Sequence, residues 1–213
     1  MKIALSRMHF PVTTLGPGKR IGIWFQGCSI HCAGCVSKDT WNPDINMIDI
    51  AEVEKVLLEW IPYAEGFTIS GGEPFDQFEQ LAHILRFIKM HSSHSTLVYT
   101  GYHHQDIQIQ LSGVSPLIDA LISEPFDFTQ PQTKALLGSD NQILRRLTPL
   151  GESIFPPLFE STPPQRHLDA MLVDDGAWLV GVGEQELMHT LSNELAANGY
   201  DISHTQTRLP EKE

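Results

Sequence analysis

The sequence predicts an α/β protein with a parallel sheet, because short apolar runs of strand length alternate with amphipathic helical patterns. The strand-like runs lie at 20–26, 66–70 and 96–100, and a helical pattern separates each run from the next. The motifs of chemical interest follow these runs directly. Because active sites of parallel α/β proteins lie at the carboxyl ends of the strands, we expect one site built from these motifs.

Each of the two helices is predicted from an apolar stripe with an acidic residue at its start. Asp49 is the expected N-cap of the first helix, with Glu52 at the capping-box position. Asp76 is expected to begin the second helix, with Glu79 three residues further on. The apolar stripes comprise Ile50, Val53, Leu57 and Trp60 in the first helix, and Phe78, Leu81, Leu85 and Ile88 in the second.

The second half of the chain has weaker patterns. A fourth strand with flanking residues is expected within 116–123, and 148–167, which contains five prolines, is expected to be a loop. A β-hairpin is expected next, because the Asp-Gly pair at 175–176 favours a tight turn between two apolar runs. The predicted bounds are 170–173 and 177–182 for the hairpin strands and 184–198 for a last helix ending at Gly199.

Composition indicates a soluble globular protein and excludes several classes of partner. The chain has 213 residues, 41% of them hydrophobic, and a net charge of −12. Binding to nucleic acids depends on basic surfaces, so no nucleic-acid partner is expected. No run approaches the roughly 20 apolar residues of a membrane span, and the N-terminus lacks a signal-peptide pattern. We therefore expect no membrane partner and a cytoplasmic location.

Three cysteines, Cys28, Cys32 and Cys35, stand within eight residues at C-x3-C-x2-C spacing and are the only cysteines in the sequence. An odd number on one short loop does not suit a disulfide framework. Three thiolates on such a loop suit three irons of a [4Fe–4S] cluster and leave the fourth iron without a protein ligand. An open iron is reactive, which favours an enzyme over an electron carrier.

A zinc site or a redox-sensing thiol group is the alternative interpretation of the same loop. Structural zinc sites usually show paired C-x2-C or C…H spacings, which this loop lacks. His31 lies inside the loop, where it is poorly placed to join its neighbours on one metal ion. The spacing therefore favours the iron–sulfur cluster.

The residues around the cysteines resemble a known family. The segment 16–41 contains GPG upstream, QGC at the first cysteine and K-x-T-W after the third. Further motifs follow apolar runs: Gly71-Gly72-Glu73-Pro74 at 71–74, Tyr99-Thr100-Gly101-Tyr102 at 99–102 and Gly-Ser-Asp-Asn-Gln at 138–142. Together they resemble radical S-adenosylmethionine (SAM) enzymes, above all the small activating proteins of glycyl radical enzymes such as anaerobic ribonucleotide reductase.

The resemblance covers about residues 10–145 and implies a domain division. Residues 1–145 would form the radical SAM core, an incomplete (β/α) barrel. Residues 146–213, with the predicted hairpin and helix, would form a C-terminal extension packing on that core. This extension is only weakly characteristic of the family.

The resemblance also implies cofactors, partners and a reaction. The cofactors would be a [4Fe–4S] cluster and SAM, whose cleavage yields a 5′-deoxyadenosyl radical. That radical would remove hydrogen from a glycine of a glycyl radical enzyme, or from another protein or peptide substrate. The electron would come from a donor such as flavodoxin. No residue is assigned as catalytic, because the cofactors carry the chemistry.

Particular residues follow from the resemblance. Gly71, Gly72, Glu73 and Pro74 match the family's SAM-contacting motif position by position. Thr100 is expected to reach SAM, with an ordinary strand end as the alternative. Trp41 is expected to cover the cluster or to touch SAM.

Two further positions are open at this stage. Asn141 matches the 138–142 block, with helix capping as an equally good interpretation. Gly34 stands where many radical SAM enzymes have an aromatic residue, a departure that the ribonucleotide reductase activases share.

Two rival functions remain open. The first is a radical SAM enzyme that modifies a small molecule or a ribosomal peptide, with the extension closing over the substrate. The second is a noncatalytic iron–sulfur or zinc protein, which would bind a metal centre without cleaving SAM.

The histidine pairs His91/His94 and His103/His104 are expected to lie at the solvated surface and not to bind a metal.

Overall fold

A seven-stranded mixed sheet organises the fold in the computed structural model, which describes residues 1–157, 168–173, 176–181 and 185–199. The strands of this sheet are β1 (Lys2–Val12), β2 (Arg20–Phe25), β3 (Met47–Asp49), β4 (Gly66–Gly71), β5 (Ser95–Tyr99), β6 (Ala120–Ser123) and β7 (Ile143–Arg146). Their spatial order is β3-β1-β2-β4-β5-β6-β7.

The centre of the sheet is parallel, as the alternation of strands and helices predicts. β2, β4, β5 and β6 run parallel, with pairs such as Ile23↔Ile69 and Ile69↔Val98 in register. These strands are buried on both faces, and for that reason their sequences read as continuous apolar runs. The three strands predicted from apolar runs are observed within one residue of their expected bounds. The α/β class is confirmed.

The antiparallel strands β1, β3 and β7 at the two sides of the sheet were not predicted. β1 pairs antiparallel with β2, and its register shifts between Leu5 and Arg7 and again between His9 and Val12. Each shift moves the following side chains to the other face, so no period-2 alternation survives in the sequence. β7 pairs antiparallel with β6 and has only one buried residue, Leu144.

Helices α1 (Ile50–Trp60), α2 (Phe78–His91) and α3 (Gln108–Val114) pack against the sheet and form the main apolar core with it. The apolar stripes of α1 and α2 are buried against β2 and β4, as their spacing predicts. Asp49 is the N-cap residue of α1, as predicted, but its side chain makes no capping hydrogen bond. The same residue ends β3, where it pairs with Lys2.

The start of α2 also differs from its prediction. Asp76 lies in a 3-10 turn, Pro74–Gln77, and α2 begins two residues later at Phe78. The carboxylate of Asp76 does not cap α2, because it accepts hydrogen bonds from Ser29 and Tyr102. A side chain used in a tertiary contact is unavailable for capping.

The predicted loop at 148–167 contains a helix, α4 (Pro149–Ile154), so that prediction is wrong for its first residues. Thr148 caps α4 by accepting a hydrogen bond from the Gly151 N–H at 3.1 Å, and Pro149 occupies the first turn, where proline is well tolerated. The fourth strand is shorter than 116–123, because Ser115–Leu117 form a 3-10 turn before β6. Residues 158–167 lie outside the described part.

The C-terminal region contains two antiparallel strands, β8 (Asp169–Val173) and β9 (Gly176–Val180), and helix α5 (Gln185–Ala197). Asp169 accepts hydrogen bonds from the backbone N–H groups of Thr13 and Thr14, and Trp178 packs edge-on against Trp24 at 4.7 Å between ring centroids. Gly199 has φ +86° and lies just after α5, where the sequence predicts a glycine that ends the helix. The turn residues Asp174 and Asp175 and the predicted ends at 182 and 184 are not among the described residues.

No helix in the described ranges is long and apolar enough to cross a membrane. The division into 1–145 and 146–213 stays a prediction. Residues 200–213 are not described.

Replacing Thr148 tests the helix that the sequence did not predict. The Thr148 hydroxyl caps α4 and also donates to the buried Asp119 carboxylate at 2.5 Å. Thr148→Ala should therefore lower the free energy of unfolding by about 1–2 kcal/mol, measured by urea denaturation of the apo protein. Thr148→Ser retains the hydroxyl and should lose much less. Equal losses in the two variants would show that the hydroxyl bonds do not stabilise this region.

Candidate functional site

The cysteine loop begins where β2 ends. The Gly27 N–H donates to the Thr40 carbonyl at 2.7 Å, and the Cys28 N–H donates to the Trp41 carbonyl at 3.1 Å. Gly27 has φ +94°, a conformation that turns the chain sharply out of the strand. Cys28, Cys32 and Cys35 are free thiols and are all partly exposed. The three thiols therefore stand on one loop whose start is anchored to the 40–41 segment.

Burial and backbone donors act in opposite directions on two of these thiols. Burial raises the pKa of Cys28, while the backbone N–H groups of Ile30 and His31 lower it. Burial likewise raises the pKa of Cys32, against a backbone hydrogen bond from Phe126. Burial disfavours the charged thiolate, and a bound cation would stabilise the thiolate by its positive charge.

His31 does not support a zinc site. Its ring stacks on Trp41 at 4.5 Å between centroids and 18° between planes. In the part of the chain that the structure describes, no group of three His, Cys, Asp or Glu side chains is placed to hold a single metal ion. A cubane cluster spreads three thiolates over three irons, so it does not require the sulfurs to meet at one atom. The donor set fits a cluster.

The 71–74 motif is bonded directly to the start of the cysteine loop. The Gly72 N–H donates to the Phe25 carbonyl at 2.8 Å, and the Glu73 N–H donates to the Gly27 carbonyl at 2.8 Å. A Cβ atom at Gly72 would lie 2.0 Å from the Gly27 oxygen, and one at Gly71 would lie 2.5 Å from the Phe25 nitrogen. Both positions therefore require glycine because of this close backbone approach. Pro74 is buried and starts the 3-10 turn.

Glu73 is 1% exposed, and its carboxylate joins the ends of β4 and β5. One carboxylate oxygen accepts from the Phe75 N–H and the Thr100 hydroxyl, each at 2.9 Å, and the other accepts from the Gly101 N–H at 2.8 Å. Burial raises the pKa of Glu73 to about 7, although these three donors lower it. The structure thus brings Glu73 and Thr100 together, as two predicted site residues.

Asp76 holds the cysteine loop from a second side and was not recognised from the sequence. It accepts hydrogen bonds from the Ser29 N–H at 2.8 Å, the Ser29 hydroxyl at 3.0 Å and the Tyr102 hydroxyl at 2.6 Å. The Asp76 bond and burial raise the pKa of Tyr102. The sequence pointed to this contact only through Tyr102, which belongs to the 99–102 motif. No local pattern connects Tyr102 or Asp76 with Ser29.

Trp41 does not line the same cavity as the other predicted SAM contacts. It lines a groove of about 560 Å³ together with Cys28, Pro43, Met47 and Asp76 among others. None of the residues of the 71–74 motif lines this groove as described, and neither does Thr100. The predicted residues therefore surround the start of the cysteine loop without sharing one cavity.

A further polar group at the end of β6 was also missed. Glu124, with φ +83°, accepts hydrogen bonds from the Ser123 hydroxyl at 3.3 Å and from Arg145 at 3.4 Å, and it pairs with His103. Burial acts to raise the pKa of Glu124, but the hydrogen bonds from His103 and His104 and the charges of His103 and Arg145 lower it overall. The His103 side chain remains 55% exposed while its ring bonds Glu124, so the expectation that it lies at the solvated surface is confirmed.

The block at 138–142 supports the segment that follows β6. The Asn141 side-chain amide donates to the Pro125 carbonyl at 2.8 Å, and the Gln142 amide donates to the Glu124 carbonyl at 3.1 Å. No helix begins at Asn141 among the described elements, so the capping interpretation is wrong. Asn141 instead fixes a tertiary contact.

Comparison with known proteins identifies the class of this site. A family model described as "4Fe-4S single cluster domain" matches residues 14–145, which is more than half of the chain. The chain therefore belongs to the family of 4Fe–4S single cluster domains. The resemblance to radical SAM activases is confirmed by named relatives.

Two relatives match along most of their length. The chain is 29% identical to the anaerobic ribonucleoside-triphosphate reductase-activating protein of Enterobacteria phage T4, over 61% of this chain and 85% of that protein. It is 28% identical to the protein of the same name from Salmonella typhi, over 65% of this chain and 96% of that protein. A third relative is matched over a shorter part. The chain is 38% identical to the pyruvate formate-lyase-activating enzyme of Clostridium pasteurianum, and the match covers 41% of this chain and 39% of that enzyme.

Removing Asp76 tests how the cysteine loop is held. Asp76→Ala should load less iron on reconstitution and lose its visible cluster absorbance several-fold faster, because Ser29 loses two hydrogen bonds beside Cys28. Tyr102→Phe is the comparison variant, since it removes the Tyr102 contacts with Asp76 and the Ser29 hydroxyl but leaves both bonds from Ser29 to Asp76. Normal iron content and cluster lifetime in Asp76→Ala would contradict this role.

The raised pKa of Glu73 predicts a dependence of stability on pH. The folded state favours the protonated carboxyl, because its pKa rises from 4.5 to about 7. This contribution is fully present below the unfolded value and is lost as the pH rises through about 7. Between about pH 5 and about pH 8, the unfolding free energy of apo wild type should fall by about 2 kcal/mol more than that of Glu73→Gln. Parallel pH profiles from urea denaturation would refute the shift.

Proposed function

We propose that the protein is a radical SAM activase that removes a hydrogen atom from a backbone glycine of a partner glycyl radical enzyme. The observation that carries this proposal is the direct backbone bonding of the 71–74 motif to the cysteine loop, through Gly72 to Phe25 and Glu73 to Gly27. This contact supports a SAM-binding role for the motif, because it holds the motif beside the loop that would bind the cluster. The named activating proteins among the relatives support the choice of substrate class.

The three cysteines would hold three irons of a [4Fe–4S] cluster and leave one iron for SAM. When bound, the two cofactors together supply one-electron cleavage of the SAM sulfonium to methionine and a 5′-deoxyadenosyl radical. Gly71, Gly72, Glu73, Pro74 and Thr100 would form the SAM side of the site.

Three donors of this chain bond the buried Glu73 carboxylate, which supports a role for it in holding the strand ends on the SAM side of the site. Backbone groups of the 71–74 motif are then the candidate SAM contacts. Trp41 would cover the cluster from the groove beside Cys28. No residue of the chain is assigned as catalytic in this proposal.

An incomplete barrel suits a substrate that is a protein loop. The parallel strands β2, β4, β5 and β6 are flanked by antiparallel strands on both sides, which supports a sheet that curves without closing. An open edge would admit a glycine-bearing loop of the partner. The hairpin and α5 would belong to an extension, 146–213, on the core 1–145. The contacts of Asp169 with Thr13 and Thr14 support packing of this extension on β1.

The remaining expectations on partners are part of the same proposal. A flavodoxin-like protein would donate the electron, and the protein would act in the cytoplasm, where thiols stay reduced. The net charge of −12 supports the absence of a nucleic-acid partner. A membrane partner is not proposed.

A second candidate function is modification of a small molecule or ribosomal peptide. It is favoured by the Salmonella typhi relative, which is matched over 96% of its own length but only 65% of this chain. The part of this chain without a counterpart would then shape a different substrate site. A noncatalytic iron–sulfur or zinc protein is the third possibility, and the same experiment tests it.

The deciding experiment is anaerobic turnover of reconstituted protein with SAM and dithionite, with and without a glycyl radical enzyme encoded nearby. Wild type should form 5′-deoxyadenosine, and electron paramagnetic resonance should detect a glycyl radical on the partner. Cys32→Ala should do neither. Deoxyadenosine without a glycyl radical would favour the small-molecule or peptide enzyme. A loaded cluster that never cleaves SAM, with or without the partner, would indicate a noncatalytic protein.

A further inference from the structure

Two phenylalanines fill the space that a side chain at Gly34 would occupy. A Cβ atom at Gly34 would lie 2.9 Å from the Phe128 Cβ and 3.6 Å from the Phe126 ring. Gly34 has φ +73°, so the backbone also favours glycine here. The segment after β6 therefore lies directly against the Cys32–Cys35 half of the cysteine loop.

The same segment also approaches a cysteine. The Phe126 backbone lies close enough to Cys32 to lower the pKa of its thiol, against the effect of burial. Backbone donors to cluster sulfurs and solvent exposure are two of the means by which a protein sets the reduction potential of an iron–sulfur cluster. Phe126 and Phe128 thus reach the loop by a polar contact and by apolar packing.

The block at 138–142 holds this segment rigidly. The Asp127 N–H donates to the hydroxyl of Ser139, which is fully buried, at 3.1 Å. The Asn141 amide bonds the Pro125 carbonyl, and a Cβ at Gly138 would lie 3.2 Å from the Phe126 ring. The backbone on both sides of Phe126 is therefore held by tertiary contacts.

Phe128 remains 55% exposed although it is a large apolar residue. Burial in the core does not explain its position, because more than half of the residue is exposed and its Cβ lies against Gly34. An aromatic ring at the edge of a thiolate loop excludes water from one side of it.

We propose that Phe126 and Phe128 form an aromatic cover over the Cys32–Cys35 side of the cluster, delivered from the segment after β6 in place of a side chain at Gly34. The 138–142 block positions this cover. The inference rests on the cluster of the proposed function but not on SAM cleavage or on the glycyl radical substrate.

The test compares reconstituted Phe128→Ala with wild type by readouts of the cluster alone. Phe128→Ala should retain its iron, lose its visible absorbance several-fold faster in air, and show a more positive reduction potential, because water stabilises the more negative reduced cluster. Phe128→Leu should restore most of the protection. Tyr63→Ala is the matched control, because Tyr63 is an aromatic residue that is 72% exposed and lies in a separate 3-10 turn.

Ser139→Ala provides a second route to the same answer, since it loosens the segment and leaves both rings in the chain. It should bleach at a rate between those of wild type and Phe128→Ala. If Phe128→Ala loses its iron, the cluster of wild type is compared with the clusters of Ser139→Ala and Phe128→Leu instead. The proposed cover is refuted if the cluster absorbance of these variants decays at the wild-type rate and their reduction potentials equal that of wild type. If the variants show these effects but the wild-type protein never cleaves SAM, the aromatic cover is supported and the proposed function is refuted.

Discussion

The carboxylate of Glu73 is the interaction on which the rest of the site depends. A buried carboxylate is costly unless its oxygens are satisfied, and here Phe75, Thr100 and Gly101 supply the three donors. These donors come from the turn after β4 and from the end of β5. Satisfying one charge therefore fixes two strand ends relative to each other. Because the Glu73 N–H also bonds Gly27, the same residue fixes the cysteine loop.

The loop is then held by three kinds of contact. Backbone bonds from Gly27 and Cys28 to the 40–41 segment set its start, and Asp76 holds Ser29 by charge-assisted hydrogen bonds. Phe126 and Phe128 pack at its far end. A cluster requires three thiolates at defined positions, so a loop with so little regular structure needs this support from β2, β4, β5 and the segment after β6.

The elements that could be predicted are those whose pattern is local. β2, β4 and β5 are buried on both faces, so each reads as an apolar run, and α1 and α2 bury one stripe each. β1 escaped prediction because two register shifts erase its alternation. α4 was not predicted because the five prolines of the region indicated a loop. Thr148 followed by Pro149 is nevertheless a sequence that suits the start of a helix.

The sequence by itself determined the chemistry of this protein: the spacing of Cys28, Cys32 and Cys35, the 71–74 motif at a strand end, and the family to which they belong. Only the tertiary structure decided which side chains surround that chemistry. Asp76 meets Ser29 across 47 residues, and Tyr102 meets Ser29 across 73. Such contacts follow from the pairing of β2, β4 and β5 in one parallel sheet. No local spacing records them, because the register that places strand ends side by side is a property of the folded sheet.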